Sequence, residues 1–321
     1  MRRLRAVEII LSSLALMAAF KAVAFEQPTT EERLKAIGPT DALPRALKRA
    51  LTIEGFAPLC APRQQDWLAV HPESGQAFEE FRREQPNRPD AQRRIIYLQL
   101  LESFSEKHSP STEMLRQYAA AFFQMEVKIL LPVNLVPGDF TSRTNRITTR
   151  RQILTRDVLR WLQGRLPEDA FCALGITMED LYPDPSWNFV FGEASFRERV
   201  GVFSFARYDP AFYGRTQDGD YQKLLLRRSA KVLTHETAHM FGLAHCIYFK
   251  CVMNGSNHLQ ESDARPLPLC PVCLRKLQWS IGFDVVKHYE QLHQFCQRAG
   301  FEDEAARIAL RLKEVREEEH K

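Results

Sequence analysis

The sequence predicts an α/β (α+β) protein in which a mixed β-sheet packs on helices and a smaller helical subdomain follows. Three observations predict this fold class. Apolar runs of strand length alternate with helix-length segments between residues 93 and 208, which is typical of a sheet covered by helices. A long helical pattern then occupies 224–243, and every segment after Cys273 has helical spacing.

The composition is that of a folded globular chain. Of the 321 residues, 45% are hydrophobic and 26% are charged, which excludes disorder as the main state. At roughly 150 residues per domain, this length corresponds to about two domains, or to one domain with extensions. Lys and Arg number 44 against 40 Asp and Glu, a net charge of +4. So small and evenly mixed an excess argues against a nucleic-acid partner.

Residues 1–24 have the layout of a signal peptide. Three arginines precede a small or apolar run at 9–20, and residues 22–24 form a small-x-small cleavage site. With such a signal the protein is secreted or periplasmic. The alternative is an ordinary amphipathic helix and a cytoplasmic protein, because Glu8 and Lys21 interrupt the signal pattern. No integral membrane segment is expected, since a span needs about 18 or more apolar residues.

Residues 25–92 are predicted to form an N-terminal extension wrapped on the main domain. They are rich in Pro, Arg and Glu, with short helical patches at 32–37 and 42–51. Turn-forming residues at 85–90 then make a linker. The main domain therefore starts near Arg93.

The main part of the chain is divided into an N-terminal subdomain, 93–245, and a C-terminal subdomain, 246–321. In the first, helices are predicted at 109–124, 149–166 and 224–243, and strands at 95–100, 127–131, 170–177, 188–191 and 200–208. These strands predict a sheet of about five members.

The C-terminal subdomain is predicted to end in an amphipathic helix docked on the domain. Its apolar residues recur at three-and-four spacing: Phe301, Ala305, Ile308, Leu312 and Val315. Residues 317–321 are all charged or His, and we expect them to fray in solvent.

The stretch from His235 to His245 has the pattern H-E-x-x-H-x-x-G-x-x-H. Residues four apart share one helix face, so His235 and His239 can bind one ion, with Glu236 beside them. Gly242 can take the left-handed conformation that ends a helix, which returns His245 as a third ligand. Three protein ligands leave a fourth position for water, as in catalytic zinc sites.

Met253 follows His245 by eight residues, just before the turn-forming pair Asn254-Gly255. Taken alone, such a methionine is usually a core filler. A methionine in a turn below a three-histidine zinc is instead typical of metzincins. After this histidine motif we interpret Met253 as that Met-turn residue.

Four cysteines form a second candidate site: Cys246, Cys251, Cys270 and Cys273. Two close pairs at this spacing predict a closed, structural zinc site. His245 and Cys246 are adjacent, and neighbouring side chains in extended chain point to opposite sides, so each can serve a different ion. Two disulfides are the alternative, which export to an oxidising compartment would favour.

The histidine motif running directly into C-x4-C-x-M and then C-x-x-C resembles the archaemetzincins, a branch of the metzincin metallopeptidases. The resemblance covers about 93–282. Further matching stretches lie at 169–172, 175–177, 186–192, 203–208 and 255–259.

The resemblance implies a metzincin-like fold that binds two Zn²⁺ ions, one catalytic and one structural. It places His235, His239 and His245 on the catalytic zinc, Glu236 as general base and Met253 in the Met-turn. It places the four cysteines on the structural zinc. The implied activity is hydrolysis of a peptide or protein substrate, with aminopeptidase-like activity on small substrates. The substrate is expected to lie extended along an edge strand at 188–195.

The alternative function is a zinc-stabilised interaction module without catalysis. Glu236 argues against it, because a binding module needs neither that carboxylate nor an open metal position. The residues leave open the natural substrate, the choice between chain ends and internal bonds, and the oligomeric state. His258, Tyr208 and Tyr248 are candidates for a second oxyanion donor. Cys60 is a candidate for a thiolate that caps the catalytic zinc and keeps the enzyme latent, and the alternative is a free thiol. Cys172 and Cys296 have no assigned role.

Overall fold

The computed structural model describes residues 25–105, 109–133, 138–215 and 219–316. The predicted signal peptide at 1–24 and the predicted fraying at 317–321 lie outside the described residues. Within the described part, eight strands and eleven α-helices form. The strands are β1 (Ile95–Leu100), β2 (Glu126–Leu130), β3 (Ser142–Thr144), β4 (Arg151–Leu154), β5 (Ala170–Thr177), β6 (Asp180–Tyr182), β7 (Gly192–Ser195) and β8 (Val200–Ser204).

The helices divide into three groups along the chain. Those of the extension are α1 (Thr30–Ile37), α2 (Arg45–Ala50), α3 (Trp67–Val70) and α4 (Phe78–Arg83). Those of the middle are α5 (Thr112–Phe123), α6 (Thr155–Gln163) and α7 (Tyr221–Met240). Those of the C-terminal part are α8 (Leu259–Asp263), α9 (Pro271–Ile281), α10 (Val285–Arg298) and α11 (Glu302–Arg316).

The main sheet has five strands in the order β2-β1-β5-β8-β7. Four of them run parallel, and β7 pairs antiparallel with β8 at one edge. Along β8, Val200 and Val202 pack with α6 residues while Phe203 packs in the core that contains α7. The sheet therefore lies between two helical layers, and the predicted mixed sheet packed on helices is confirmed.

A second, three-stranded sheet in the order β3-β4-β6 was not predicted. The predicted helix at 149–166 is wrong in its first part, because Arg151–Leu154 form β4, which pairs with β6 and β3. The predicted strand at 188–191 is also misplaced. There Val190 makes only an isolated bridge to Leu181, and the strand is β7, Gly192–Ser195.

The predicted strand at 200–208 ends early, at Ser204. The chain then turns through a 3₁₀ segment, Ala206–Tyr208. Arg207 in this segment donates from Nε, 2.7 Å away, to the buried carboxylate of Asp180 in β6. This pairing satisfies two buried charges and fixes the end of β8 against the second sheet.

The C-terminal helices and the extension pack on each other. Phe301, Ala305, Ile308, Leu312 and Val315 are all buried, so the predicted docking of the last helix is confirmed. In the extension, α1 and α4 contact α9, and α2 contacts α10 and α11. Among the described residues, no helix combines the length and apolarity that a membrane crossing requires.

We predict that Phe122→Ala lowers the free energy of unfolding by about 3–5 kcal/mol, because it leaves a cavity in a packed core. Phe122 is fully buried on α5. The centre of its ring lies 5.8 Å from that of Tyr118 and 5.6 Å from that of His288 of α10. Chemical denaturation measures the change. Leu131→Ala is the control, since Leu131 is 88% exposed. A loss no larger than that of the control would contradict this view of the core.

Candidate active site

Three histidines converge at the end of α7. His235 and His239 lie one turn apart on this helix, and their Nε2 atoms are 3.0 Å from each other. His245 returns beside them, with its ring centre 5.1 Å from that of His235 and 5.0 Å from that of His239. One ligand atom from each ring lies within 4.8 Å of the others. The helix periodicity thus brings His235 and His239 together, and the chain after α7 returns the third predicted histidine, His245, to them.

Gly242 makes the turn that returns His245. Its φ is +93°, in the region that favours glycine. A Cβ at this position would also lie 3.1 Å from the ring of Phe196 and 3.2 Å from Pro86. Both the conformation and the lack of space therefore require glycine, and the conformation expected from the motif is confirmed.

Each histidine uses its Nδ1 atom for a hydrogen bond outside the cluster. The Nδ1 of His235 lies 2.9 Å from the carbonyl oxygen of Val252, and the Nδ1 of His239 lies 2.7 Å from that of Leu243. The Nδ1 of His245 lies 2.8 Å from Oε1 of Glu73. Since these acceptors take a proton from Nδ1, the Nε2 lone pairs are left for the centre of the cluster.

This donor set fits a metal cation. Burial, with the facing ring of His245, lowers the pKa of His239 to about 3, so the ring is neutral, which is the form that ligates metals. Neutral imidazole lone pairs that face one another repel unless a cation lies between them. Three nitrogens with outer hydrogen bonds of this kind are a typical zinc ligand set.

Glu236 lies between the histidines and the edge strand of the main sheet. It is 6% exposed, and a Cβ on Gly192 of β7 would lie 2.8 Å from its Oε1 atom. Burial, reinforced by the charge of Glu193, raises the pKa of Glu236 to about 8. A cation bound at the neighbouring histidines acts in the opposite direction.

A cleft of about 870 Å³ opens over these residues. One wall is β7 with the segment that leads into it, and the floor is α7. The other wall comes partly from the extension, through Trp67 and His71. The ring of His71 stacks on that of Trp187 at 5.3 Å and 4° between planes. This stack joins the extension to the segment leading into β7.

The four predicted cysteines form a second cluster, with one sulfur from each within 4.8 Å of the others. All four are buried and carry free thiols, which disfavours the alternative of two disulfides. Burial and the neighbouring sulfurs raise the pKa of Cys270 in the absence of a cation. Four buried sulfurs this close fit a thiolate metal site. A metal bound there would deprotonate its thiols despite their burial.

The two clusters are joined through the Met-turn. Met253 is fully buried, and its carbonyl oxygen accepts a hydrogen bond from the backbone N–H of Cys246 at 2.8 Å. Asn254 closes the same loop by donating from Nδ2 to the carbonyl oxygens of Cys246 and Phe249. His245 and Cys246 belong to different clusters, as the alternation of adjacent side chains predicts.

The other predicted candidates have different surroundings. Tyr208 is buried, lines the cleft and stacks on Phe191 at 5.2 Å. His258 instead caps α8 and lies 3.0 Å from Asp66. Tyr248 is buried, and burial raises its pKa.

The three remaining cysteines lie apart from the four-cysteine cluster. Cys60 is exposed, with its Sγ 4.0 Å from the carbonyl oxygen of Pro58. It is not among the described residues that line the cleft, which gives the latency hypothesis no support. Cys172 and Cys296 are buried, and burial raises the pKa of Cys296 to about 12.

Sequence reasoning missed the contribution of the extension. Glu73 precedes His245 by 172 residues and lies in no recognisable motif. Trp67 donates from Nε1 to the same Oε1 atom of Glu73 at 2.8 Å. The Pro- and Arg-rich composition of this segment gave no signal for either residue.

This chain is similar in sequence to known proteins. A family model described as peptidase family M54 matches residues 114–279. Archaemetzincin-2 of Homo sapiens is 42% identical over 264 residues, 74% of this chain and 73% of that protein. Archaemetzincin-1 of Homo sapiens is 34% identical over 261 residues, 72% of this chain and 52% of that protein.

Two solved structures are also similar. Archaemetzincin from Methanopyrus kandleri is 30% identical, with a TM-score of 0.47, and covers 60% of this chain and 97% of that one. Archaemetzincin from Archaeoglobus fulgidus, complexed with malonate, is 30% identical with a TM-score of 0.44. It covers 57% of this chain and 99% of that one.

The family match defines the class of protein as a metallopeptidase. More narrowly, the chain belongs to peptidase family M54, the archaemetzincins, which confirms the resemblance. The family and the two ligand clusters together support two zinc ions per chain, as predicted.

We predict that Cys273→Ser lowers the zinc content from two ions to one per chain, because a closed four-thiolate site does not tolerate the loss of one thiolate. Mass spectrometry of metal content measures this. Cys60→Ser is the matched control, since Cys60 is exposed and lies outside both clusters. Two zinc ions in a folded Cys273→Ser protein would show that the cysteine cluster is not a metal site.

Proposed function

We propose that this protein hydrolyses peptide bonds with Glu236 as general base and His235, His239 and His245 holding a catalytic zinc. The observation that carries the proposal is the placement of a buried carboxylate directly beside three converging imidazoles, on the floor of a cleft. Cys246, Cys251, Cys270 and Cys273 hold the structural zinc. Zinc held by these three histidines would supply Lewis acidity to the scissile carbonyl and to the attacking water.

Glu236 moves the proton in this proposal. Its Oε1 atom faces the backbone of β7, on the side where a substrate would lie. The carboxylate accepts a proton from the attacking water and returns it to the leaving amine. Tyr208 is the best placed of the three candidates for a second oxyanion donor, because it lines the cleft. Met253, fully buried in the core, is proposed as the Met-turn residue.

The substrate is proposed to bind as an added strand on β7. β7 is the last strand in the order of the main sheet, and its neighbour in that order is β8. An extended peptide can pair with such an edge through main-chain hydrogen bonds. The stack of His71 on Trp187 joins the two sides of the cleft. Aminopeptidase-like activity on small peptides is the finer part of this proposal, and it follows from the resemblance to the archaemetzincins alone.

We predict that Glu236→Gln lowers kcat by about 10²–10⁴-fold, the usual contribution of a general base, while both zinc ions stay bound. The assay is turnover of fluorogenic peptides with free and with acetylated amino termini, paired with metal analysis. Glu113→Gln is the control, because Glu113 is exposed and pairs with Arg116. Unchanged turnover in Glu236→Gln would exclude this role, and equal cleavage of both peptide sets would exclude aminopeptidase specificity.

We predict that Gly192→Ala lowers kcat/KM by about 10²-fold, the effect expected when a catalytic group is displaced by about 1 Å. Its new Cβ would lie 2.8–2.9 Å from three atoms of the Glu236 side chain. Gly201→Ala is the matched control on β8, where the nearest atom is 3.4 Å away. Steady-state kinetics compares the two, and equal activities would show that Glu236 is not held against the edge strand in this way.

A further inference from the structure

The segment 67–87 of the extension, called the brace below, contacts the third histidine directly. Oε1 of Glu73 accepts hydrogen bonds from Nδ1 of His245 and from Nε1 of Trp67, both at 2.8 Å. The indole ring of Trp67 also lies edge-on to the ring of His245, with 5.0 Å between centres. Oε2 of Glu73 is buried and has no hydrogen-bond partner. A half-buried carboxylate thus lies at the outer nitrogen of His245.

The brace also holds the backbone turn that carries His245. Gln76 donates from Nε2 to the carbonyl oxygen of Gly242 and accepts from the backbone N–H of Ala244. Asn87 donates from Nδ2 to the carbonyl oxygen of Met240 at 2.9 Å. Met240 is the last residue of α7, so these two amides fix the chain from the helix end to the residue before His245.

Two glycines show how closely the brace fits the rest of the site. A Cβ on Gly75 would lie 2.6 Å from the side chain of Ile247, two residues after His245. A Cβ on Gly255, just after the Met-turn, would overlap the ring of Trp67. The brace and the metal-binding segment therefore pack without room for a further methyl group.

We propose that Glu73 is a positioning residue for His245 and that the brace is a permanent part of the metal centre. The inference rests on the proposed assignment of His245 to the catalytic zinc. The other two histidines are oriented by backbone carbonyls of their own region, whereas His245 depends on a carboxylate from outside the matched residues 114–279. A carboxylate on the outer nitrogen orients a metal-bound histidine and raises its basicity.

The contact differs from that of a removable inhibitory segment. Such a segment acts by placing a ligand atom on the metal and occupying its open position. Glu73 instead bonds Nδ1 of His245, which leaves Nε2 of that ring free to act as the ligand atom. It therefore strengthens a ligand and leaves the centre of the cluster to the three histidines.

The experiment compares full-length Glu73→Ala and Glu73→Gln with Glu79→Gln, an exposed position on the same segment that pairs with Arg82. Zinc affinity of the three-histidine site is measured by competition with a chelator. The visible spectrum is recorded after Co²⁺ replaces zinc at that site alone. We expect Glu73→Ala to weaken zinc binding by about 10–100-fold, as for other partners of ligating histidines.

Glu73→Gln keeps the acceptor oxygen and loses the charge, so its affinity falls between those of Glu73→Ala and the control. The Co²⁺ spectrum changes in both Glu73 variants and not in Glu79→Gln. Affinities and spectra equal to those of the control overturn the proposal, and if Glu73→Ala does not fold, Glu73→Gln alone decides. No peptide is needed, so a wild-type protein that binds two zinc ions and cleaves nothing would sink the proposed function while leaving this comparison valid.

Discussion

The active site depends on one constraint: three imidazoles must direct their lone pairs to a single point. Rings on a helix and a loop hold such an arrangement only if the opposite nitrogen of each is anchored. Here the anchors are the carbonyls of Val252 and Leu243 and the carboxylate of Glu73. Each anchor belongs to a different part of the chain. The Met-turn, the end of α7 and the extension must therefore all be in place before the histidines can bind a metal well.

The second metal cluster serves the same constraint through the chain itself. Cys246 follows His245 directly, and its backbone N–H bonds to the carbonyl oxygen of Met253. Val252, the residue before Met253, carries the carbonyl that orients His235. A zinc held by the four cysteines consequently fixes the segment that positions two of the three histidines. The closed cysteine site thus serves to position the histidines, in a subdomain whose own helices are already well packed.

The parts of the structure that sequence predicted are those with local signals. The strands at 95–100 and 170–177, the long helix and the two ligand clusters all follow from periodicity or from fixed spacing within a short stretch. The second sheet escaped prediction because Arg151–Leu154 are two polar residues followed by two apolar ones, a pattern without strand alternation that does not exclude a helix, and their partner β6 lies 28 residues further along the chain. Glu73 escaped for a related reason, since its role exists only after the extension has folded onto His245.

The main sheet has two exposed edges with opposite requirements. At β2 the edge carries the exposed side chains of Glu126 and Lys128, charges that discourage a second molecule from pairing there. At β7 such protection would defeat the proposed pairing with a peptide substrate, and the strand instead contains Gly192 and Ala194, with no bulky apolar side chain. Its shortness, four residues, and the walls of the cleft limit what can reach it. Resistance to aggregation and access for peptides are thus separated onto opposite ends of one sheet.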